Sequence, residues 1–574
     1  MRRSLCLVFL FALTVAVASC SDDGNGDKPD CTTGADCTGA LPDGCDGYWE
    51  CIGQKCEPIC TSACTSVDDC LGEEWPTNAD CSQSEGQWSC DNGVCRTICP
   101  TLTWSARMEV DLEDAGIQLD LAAAPSGGFA IAYYKRNSET STCEKPILGG
   151  PPTVAILDDI GYAWYDGTDW NQEDVVTIET AMLSGISLVF DGNNPMIGYL
   201  GGEEGLQICG GSDMMISSGG PGNWSHSAAV ATSGETGAGG DCPKMQSICD
   251  FGDVVGLWPS LAKSQDGSII GVTYRDIHNG YTKDADDCAD LEYAFTSGGG
   301  WSHEWIDLAR GSGDFSSLAF GNDGEPAVAY YNGEVGTSGE GVILFARRPW
   351  AEWTQPLVTD PPCQTAADCP NGQACSGGEC LCNTDGQCDS PKLCVENRCS
   401  AVIDTIAAGL PEKSISLAVG PDGRYLVAYY DPDEQNLMIA HSEDGLAWQK
   451  GIVDADGHTG QYPSIVILPN TNKPAIAYYR CNEPSHDDCN RNHDGPRFAY
   501  FKGDYPLDLT TQSKWKKGYI SNTGDADSVA TDGKHISLAV QPDGTIGVAY
   551  YYSWVDPSDN STKEHLMFHK GTWE

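Results

Sequence analysis

The sequence predicts an all-β protein: a seven-bladed β-propeller closed by its N-terminal strand, carrying small disulfide-rich modules. Three observations predict it. A Ser-Leu-Ala, Asp-Gly, Val-Ala-Tyr-Tyr unit recurs from residue 100 onward, and most of the 29 cysteines crowd into two segments. Gly, Asp, Tyr and Trp are abundant while only 20% of residues are charged, a balance that favours strands and turns. A chain of 574 residues exceeds one small domain, and 40% hydrophobic content supports a sizeable core rather than disorder. The formal charge of −51 sets the chain against nucleic acid or an anionic membrane surface as partners, since both need basic patches.

Residues 1–19 read as a secretory signal peptide. Arg2 and Arg3 form a basic start, and Leu5 to Ala18 form an apolar run too short to span a bilayer. The junction Val17-Ala18-Ser19-Cys20 resembles a bacterial lipobox, which implies acylation of Cys20; ordinary cleavage after Ala16-Val17-Ala18 is the alternative. Ser21 behind the cysteine resembles lipoproteins destined for an outer membrane, and residues 20–30 suit a flexible tether. No later stretch is apolar enough to span a bilayer, so the lipid is the one membrane attachment expected.

Residues 31–99 hold a duplicated twelve-cysteine region. Cys31, Cys37, Cys45, Cys51, Cys56 and Cys60 are spaced by 5, 7, 5, 4 and 3 residues. Cys64, Cys70, Cys81, Cys90, Cys95 and Cys99 follow with 5, 10, 8, 4 and 3. Eight more, Cys363, Cys369, Cys375, Cys380, Cys382, Cys388, Cys394 and Cys399, make two sets spaced 5, 5 and 4. No histidine lies in either segment and no Cys-x-x-Cys knuckle occurs, so disulfide staples of an exported chain are expected rather than zinc. Spacing leaves the pairing open. The run Cys363-Gln364-Thr365-Ala366-Ala367-Asp368-Cys369-Pro370-Asn371-Gly372-Gln373-Ala374-Cys375 resembles the Dickkopf-type cysteine-rich repeat, which implies a small disulfide knot for display or binding.

Residues 100–574 repeat one hairpin seven times. Ser416-Leu417-Ala418, Asp422-Gly423 and Val427-Ala428-Tyr429-Tyr430 form the clearest copy, matched at Ser317 to Tyr331 and Ser537 to Tyr551. Ser260 to Tyr274 is a fourth, with weaker copies at Ile117 to Tyr134, Ile186 to Tyr199 and Pro463 to Tyr479. Each reads as strand, tight turn, strand, followed by a short apolar strand and then a Trp-led one at Trp170, Trp224, Trp301, Trp353, Trp448 or Trp515. Four strands per unit, seven times over, specify a propeller. Trp104 to Val110 is an orphan strand before the first hairpin, and the last unit lacks its fourth, so the orphan should close the ring. The 363–399 segment is expected between blades, as an insertion at the rim. The unit resembles "SLA–DG–AYYD" repeats of uncharacterised secreted propellers, which implies fold and nearly nothing about chemistry.

Candidates for chemistry are sparse. The Tyr pairs are expected to pack between blades rather than serve as sugar platforms. The Asp-Gly pairs read as turns, since calcium needs several oxygens from one short segment. The acidic runs Asp284, Asp286, Asp287, Asp290 and Glu483, His486, Asp487, Asp488, His493, Asp494 are alternatives for a cation; otherwise no cofactor and no metal is called for. His565 and His569 share a strand face without helical zinc geometry. Cys242 and Cys249, and Cys481 and Cys489, are further disulfide candidates; Cys143, Cys209 and Cys288 leave an odd thiol. Arg275 and Arg480, with Arg136, follow Tyr-bearing strands and are the ligand-binding candidates. No catalytic constellation accompanies them, so no enzyme is expected. The expected function is a surface-anchored lipoprotein binding glycan or cell-surface protein through its propeller loops. An exported sialidase-like glycoside hydrolase and a structural envelope protein are the alternatives.

Overall fold

In each repeat the two apolar arms, Ile415–Val419 and Tyr425–Asp431 for example, are joined by a turn too short to do anything but fold them back antiparallel. The turn is built by its Asp-Gly pair. Gly267, Gly324, Gly423 and Gly544 adopt φ of +73°, +82°, +83° and +87°, and the preceding Asp accepts a backbone N–H two residues on. These hydrogen bonds hold the Asp266 carboxyl down at about 2 and lower Asp543 as well. The turn reading therefore accounts for the acid without a cation.

The computed structural model leaves undescribed residues 1–46, 53–54, 61–66, 72–85, 92–93, 144–152, 181–183, 205–210, 232–253, 278–288, 308–310, 336–339, 349–365, 377–378, 396–397, 407–408, 412, 482–493, 504–507, 521–529 and 557. It describes the rest of the 574-residue chain. The chain divides into two compact units, residues 1–79 with 86–98, and residues 80–85 with 99–574. In the smaller unit, two hairpins set Cys51 opposite Cys56 and Cys90 opposite Cys95, and Cys70 bonds Cys95. Among the described residues, no helix is long and apolar enough to cross a membrane.

The larger unit is the propeller. Blade one runs Ala115–Ala123, Phe129–Cys143, Thr153–Tyr165 and Trp170–Thr180 from axis to rim. Blade two comprises Ile186–Asp191, Asn194–Glu204, Gly211–Ser218 and Ser225–Val230; blade three comprises Val254–Lys263, Ile270–Ile277, Ala289–Thr296 and Ser302–Asp307. Blade four is Asp314–Phe320, Pro326–Val335, Glu340–Arg347 and Arg398–Ile406. Blade five begins at Ile415 and ends with Gln449–Asp454; blade six runs from His458–Leu468 to Trp515–Tyr519. Blade seven takes Ala530–Val540, Ile546–Val555 and Thr562–Trp573 from the C-terminal end of the chain. Its outer edge is N-terminal: Leu102–Trp104 pairs with Gly571 to Trp573, and Met108–Asp111 with Leu566 to Phe568. The orphan strand closes the ring as predicted, with a break at Ser105 to Arg107.

One boundary differs from the expectation. The eight-cysteine segment enters inside blade four, between its third strand and its rim strand, rather than between blades. Trp353 was expected to lead that rim strand and lies outside the described residues; Arg398–Ile406 takes the place, pairing Val342 with Thr405 and Phe345 with Ala401. The insertion is held by Cys369–Cys380, Cys382–Cys394 and Cys388–Cys399, and Cys375 is bonded as well. Its crowded Cys382, Cys388 and Cys399 sulfurs are thus oxidised and offer no thiolate for a metal.

The Tyr pairs are core. Tyr133, Tyr134, Tyr274, Tyr429, Tyr430, Tyr478 and Tyr479 are essentially fully buried. At four blade junctions the first tyrosine donates to the rim-strand aspartate of the preceding blade: Tyr133 to Asp111, Tyr330 to Asp307, Tyr429 to Asp404 and Tyr478 to Asp454, at 2.6–2.8 Å. Burial, with the carboxylate beside it, pushes the Tyr429 phenol upward. Glycine makes room for these rings: a Cβ on Gly161 would sit 2.5 Å from the Tyr133 ring, which cannot yield in a closed core. Gly161→Ala should therefore cost about 1–3 kcal/mol by overpacking, read as a lower denaturant midpoint at unchanged slope. No change would mean that the blade one to blade seven packing is loose.

Candidate functional site

Antiparallel alternation sorts the connections onto two faces. The hairpin turns, and the links from third strand to rim strand, lie on one; the chain also enters at Leu102 on that face. The links from second to third strand, and from each rim strand to the next blade, all lie on the other. On that second face lie the strand ends that bound the connections of most variable length, such as Cys143 and Thr153, Val230 and Val254, and Cys481 and Gly495. Variable loops on a constant scaffold are where recognition is built.

The repeat serine lines the axis at the centre of both faces. Its Oγ accepts the N–H of the residue after the equivalent serine in the next blade: Ser187 from Leu261, Ser260 from Leu318, Ser317 from Leu417, Ser416 from Ile465, Ser464 from Leu538 and Ser537 from Leu121. Blade one carries Asp120 instead, whose Oδ2 accepts from Leu188 at 2.8 Å and so completes a seven-membered ring.

Just above the ring, toward the loop-bearing face, the inner strands of blades three, four, six and seven each bulge against the second strand immediately before the ring serine, and blades three, six and seven carry a second extra residue nearer the strand's start. Trp258, Phe315, Tyr462 and His535 occupy these bulges, with φ of +52° to +54°, a left-handed conformation costly for bulky side chains. Gly185 is the blade-two counterpart. The Trp258 and Phe315 rings meet edge to face with centroids 4.8 Å apart, and Tyr462 and His535 lie 4.7 Å apart. Lys413, also left-handed, reaches from the blade-five entry across the axis, and its Nζ donates to the Leu119 carbonyl of blade one at 2.5 Å. Burial pulls its ammonium below the usual lysine value, against the opposing pull of Asp120. A cavity of about 120 Å³ remains at this mouth, lined by the serines, Asp120, Gln118, Trp258, Phe315 and Lys413.

Burial, reinforced by Lys413 and Lys534, depresses His535 to about 3, so its imidazole is neutral at ordinary pH. The folded value lies below the unfolded one near 6.5. The unfolded chain therefore takes up a proton that the folded chain refuses, and stability falls as pH drops through 6.5 toward 3. The slope is up to about 1.4 kcal/mol per pH unit for each such histidine. His441, His565 and His569 are lowered by burial too and add to the fall. His535→Phe, which matches the residue type of blade four, should flatten the pH dependence of unfolding by one proton. An unaltered slope would show that His535 is not held neutral.

The residues singled out from sequence fall elsewhere. Arg275 is paired with Asp314, Arg480 with Asp456 at 3.2 Å and with the Tyr519 hydroxyl, and Arg136 with Glu564 at 2.8 Å. They stand in blades three, six and one, each closing a local ion pair, and do not converge. His569 sits under Tyr550 and Ser105, away from His565. Cys481 is in a disulfide. Cys20, Cys31, Cys37, Cys45, Cys64, Cys81, Cys209, Cys242, Cys249, Cys288, Cys363 and Cys489 lie outside the described residues, as do Asp284, Asp286, Asp287, Glu483, His486, Asp487, Asp488 and His493. The mouth itself was missed, although an aromatic-x-Ser pattern at Trp258-Pro259-Ser260, Phe315-Ser316-Ser317 and Tyr462-Pro463-Ser464 marks it.

No protein family and no curated protein matches the sequence. Solved structures similar to it include a protein of unknown function from Dyadobacter fermentans, at TM-score 0.39 and 9% identity over 82% of this chain and 99% of that one. The NanB sialidase of Streptococcus pneumoniae is similar at 0.36 and 12%, over 82% and 70%. A family 117 glycoside hydrolase from Zobellia galactanivorans is similar at 0.30 and 9%, over 82% and 90%. Likeness at this level assigns neither a site nor a chemistry.

Proposed function

We propose that the chain is an exported, surface-anchored binding protein, held by a lipid on Cys20, that engages glycan or cell-surface protein with the loop-bearing face of its propeller. The observation that carries this reading is the segregation of the connections. The strand ends that bound the longest links other than the cysteine insertion, Val230 to Val254 foremost, lie on the face that also bears the strained aromatic mouth, while Phe501 to Trp515 of blade six is joined on the opposite face. A sialidase-like hydrolase would need a cluster of arginines around its substrate's carboxylate, and Arg136, Arg275 and Arg480 are engaged one by one in separate ion pairs.

The test is to display the mature chain, produced in an oxidising compartment, to a panel of glycans and of envelope proteins, with and without calcium. Saturable binding to a related set of ligands is expected. A blank across both panels overturns the reading, and release of sugar from a bound glycan replaces it with the hydrolase. Metabolic labelling with a fatty acid, lost in Cys20→Ser, checks the anchor; unlabelled protein in the wild type removes it.

A further inference from the structure

We infer that the mouth of the central channel is a subsite for one uncharged sugar residue, with Trp258 as stacking platform and Lys413 with the serine ring as hydroxyl partners. This rests on the binding reading above and names its ligand class. Four observations lead to it. First, the Trp258 ring is set over the channel from a left-handed backbone position where a bulky side chain is costly, and which blade two, also left-handed there, fills with glycine. A Cβ on that Gly185 would lie 3.4 Å from the Trp258 ring, an ordinary contact distance, so the indole rests against the neighbouring blade. Second, Phe315 buttresses the indole edge to face, which fixes its orientation. The apolar C–H face of a pyranose stacks on such a surface.

Third, the cavity of about 120 Å³ beside Trp258 is lined by Gln118, Lys413 and ring serines interspersed with Ile186 and Ile415. It is several times what one water requires, so it has room for polar groups such as the hydroxyl-bearing edge of a sugar. An apolar wall facing a few placed polar groups is the usual composition of a small-molecule site.

Fourth, the charges select against ionic ligands. The chain carries −51, so an anionic sugar must approach against the long-range field. A cationic ligand meets the Lys413 ammonium, while His535 is neutral and contributes no charge. Asp120 is closed off by hydrogen bonds from Ser187, Leu188 and Ser537, and presents no free carboxylate to a cation. What remains welcome at the mouth is an uncharged polyol.

The experiment compares the mature wild type with Trp258→Gly and Phe315→Ala on uncharged oligosaccharides (glucans, mannans and galactans), acidic oligosaccharides and envelope proteins. Trp258→Gly is the decisive variant, because glycine accepts the left-handed backbone without strain and so offsets part of the packing lost with the indole. Binding of an uncharged glycan by the wild type, weakened at least about tenfold by Trp258→Gly at a temperature where both proteins are fully folded by circular dichroism, supports the subsite. Uncharged-glycan binding that survives both substitutions overturns it and leaves the loop-face reading intact. So does binding confined to acidic glycans or to proteins. Silence across all three panels overturns both.

Discussion

A chain beginning at Pro100 should fold as a stable propeller, and one beginning at Leu112 should not. The twelve residues between them supply the rim strand of blade seven. Without them the edge of Thr562–Trp573 is open, losing among others the Ser105 to Lys570 backbone hydrogen bond at 2.8 Å. An open, long edge strand invites pairing with another copy. The side chains matter as much. Val110 and Met108 cover Leu566 and Phe568 in the blade seven to blade one core, and Leu102 and Trp104 cover the blade six side, where Trp104 meets Phe498 at 5.3 Å. Burying these four apolar side chains contributes on the order of 5 kcal/mol or more, comparable to the whole stability of a domain. The expected result is monodisperse, cooperatively melting protein from the longer chain and aggregate from the shorter. If the shorter chain melts within about 3 °C of the longer, the N-terminal strand is decoration and the ring closes without it.

That closure was legible in the sequence because an unpaired Trp-led strand at one end and a missing one at the other are both visible as breaks in a period. The blade count, the turns and the Tyr packing were legible for the same reason: a repeat states its own register. The shared spacing of four between Cys51 and Cys56, Cys90 and Cys95, Cys375 and Cys380, and Cys394 and Cys399 also has a simple meaning in hindsight. Each pair faces itself across a hairpin. The bonds that are described run elsewhere, Cys95 to Cys70, Cys380 to Cys369 and Cys399 to Cys388, which spacing alone could not tell. The rim strand of blade four was misplaced because Trp353 fits the repeat by type, while pairing is decided by which segment can reach Glu340–Arg347. The candidate site was the least legible part. Arg275 and Arg480 stood out as rare cations, but a cation beside an aspartate is usually satisfied by it. The mouth's one sequence mark is the aromatic two residues before the serine in three blades, while the left-handed φ at Trp258, Phe315 and Lys413 that shapes it is concealed by residue identity.

The serine ring yields the second large effect. Six blades offer a hydroxyl to the next blade's N–H, and Asp120 alone offers a carboxylate. Its Oδ2 accepts from Leu188 and Ser187, and its Oδ1 from Ser537 at 2.8 Å, so one side chain ties blade one to both neighbours. Asp120→Ala strands a buried amide and two hydroxyls and removes the carboxylate that favours the charged form of Lys413. The expected loss is about 3–5 kcal/mol. Asp120→Ser installs the residue that the other six blades use. It restores an acceptor for the Leu188 amide but gives nothing back to Lys413, and should recover most of the loss, to within about 1–2 kcal/mol of wild type. Chemical unfolding of the two variants therefore separates the ring from the electrostatic influence of Asp120 on Lys413. Equal losses would place the importance of Asp120 in its charge beside Lys413, and the seven hydrogen bonds would then follow the closure of the ring rather than contribute to it.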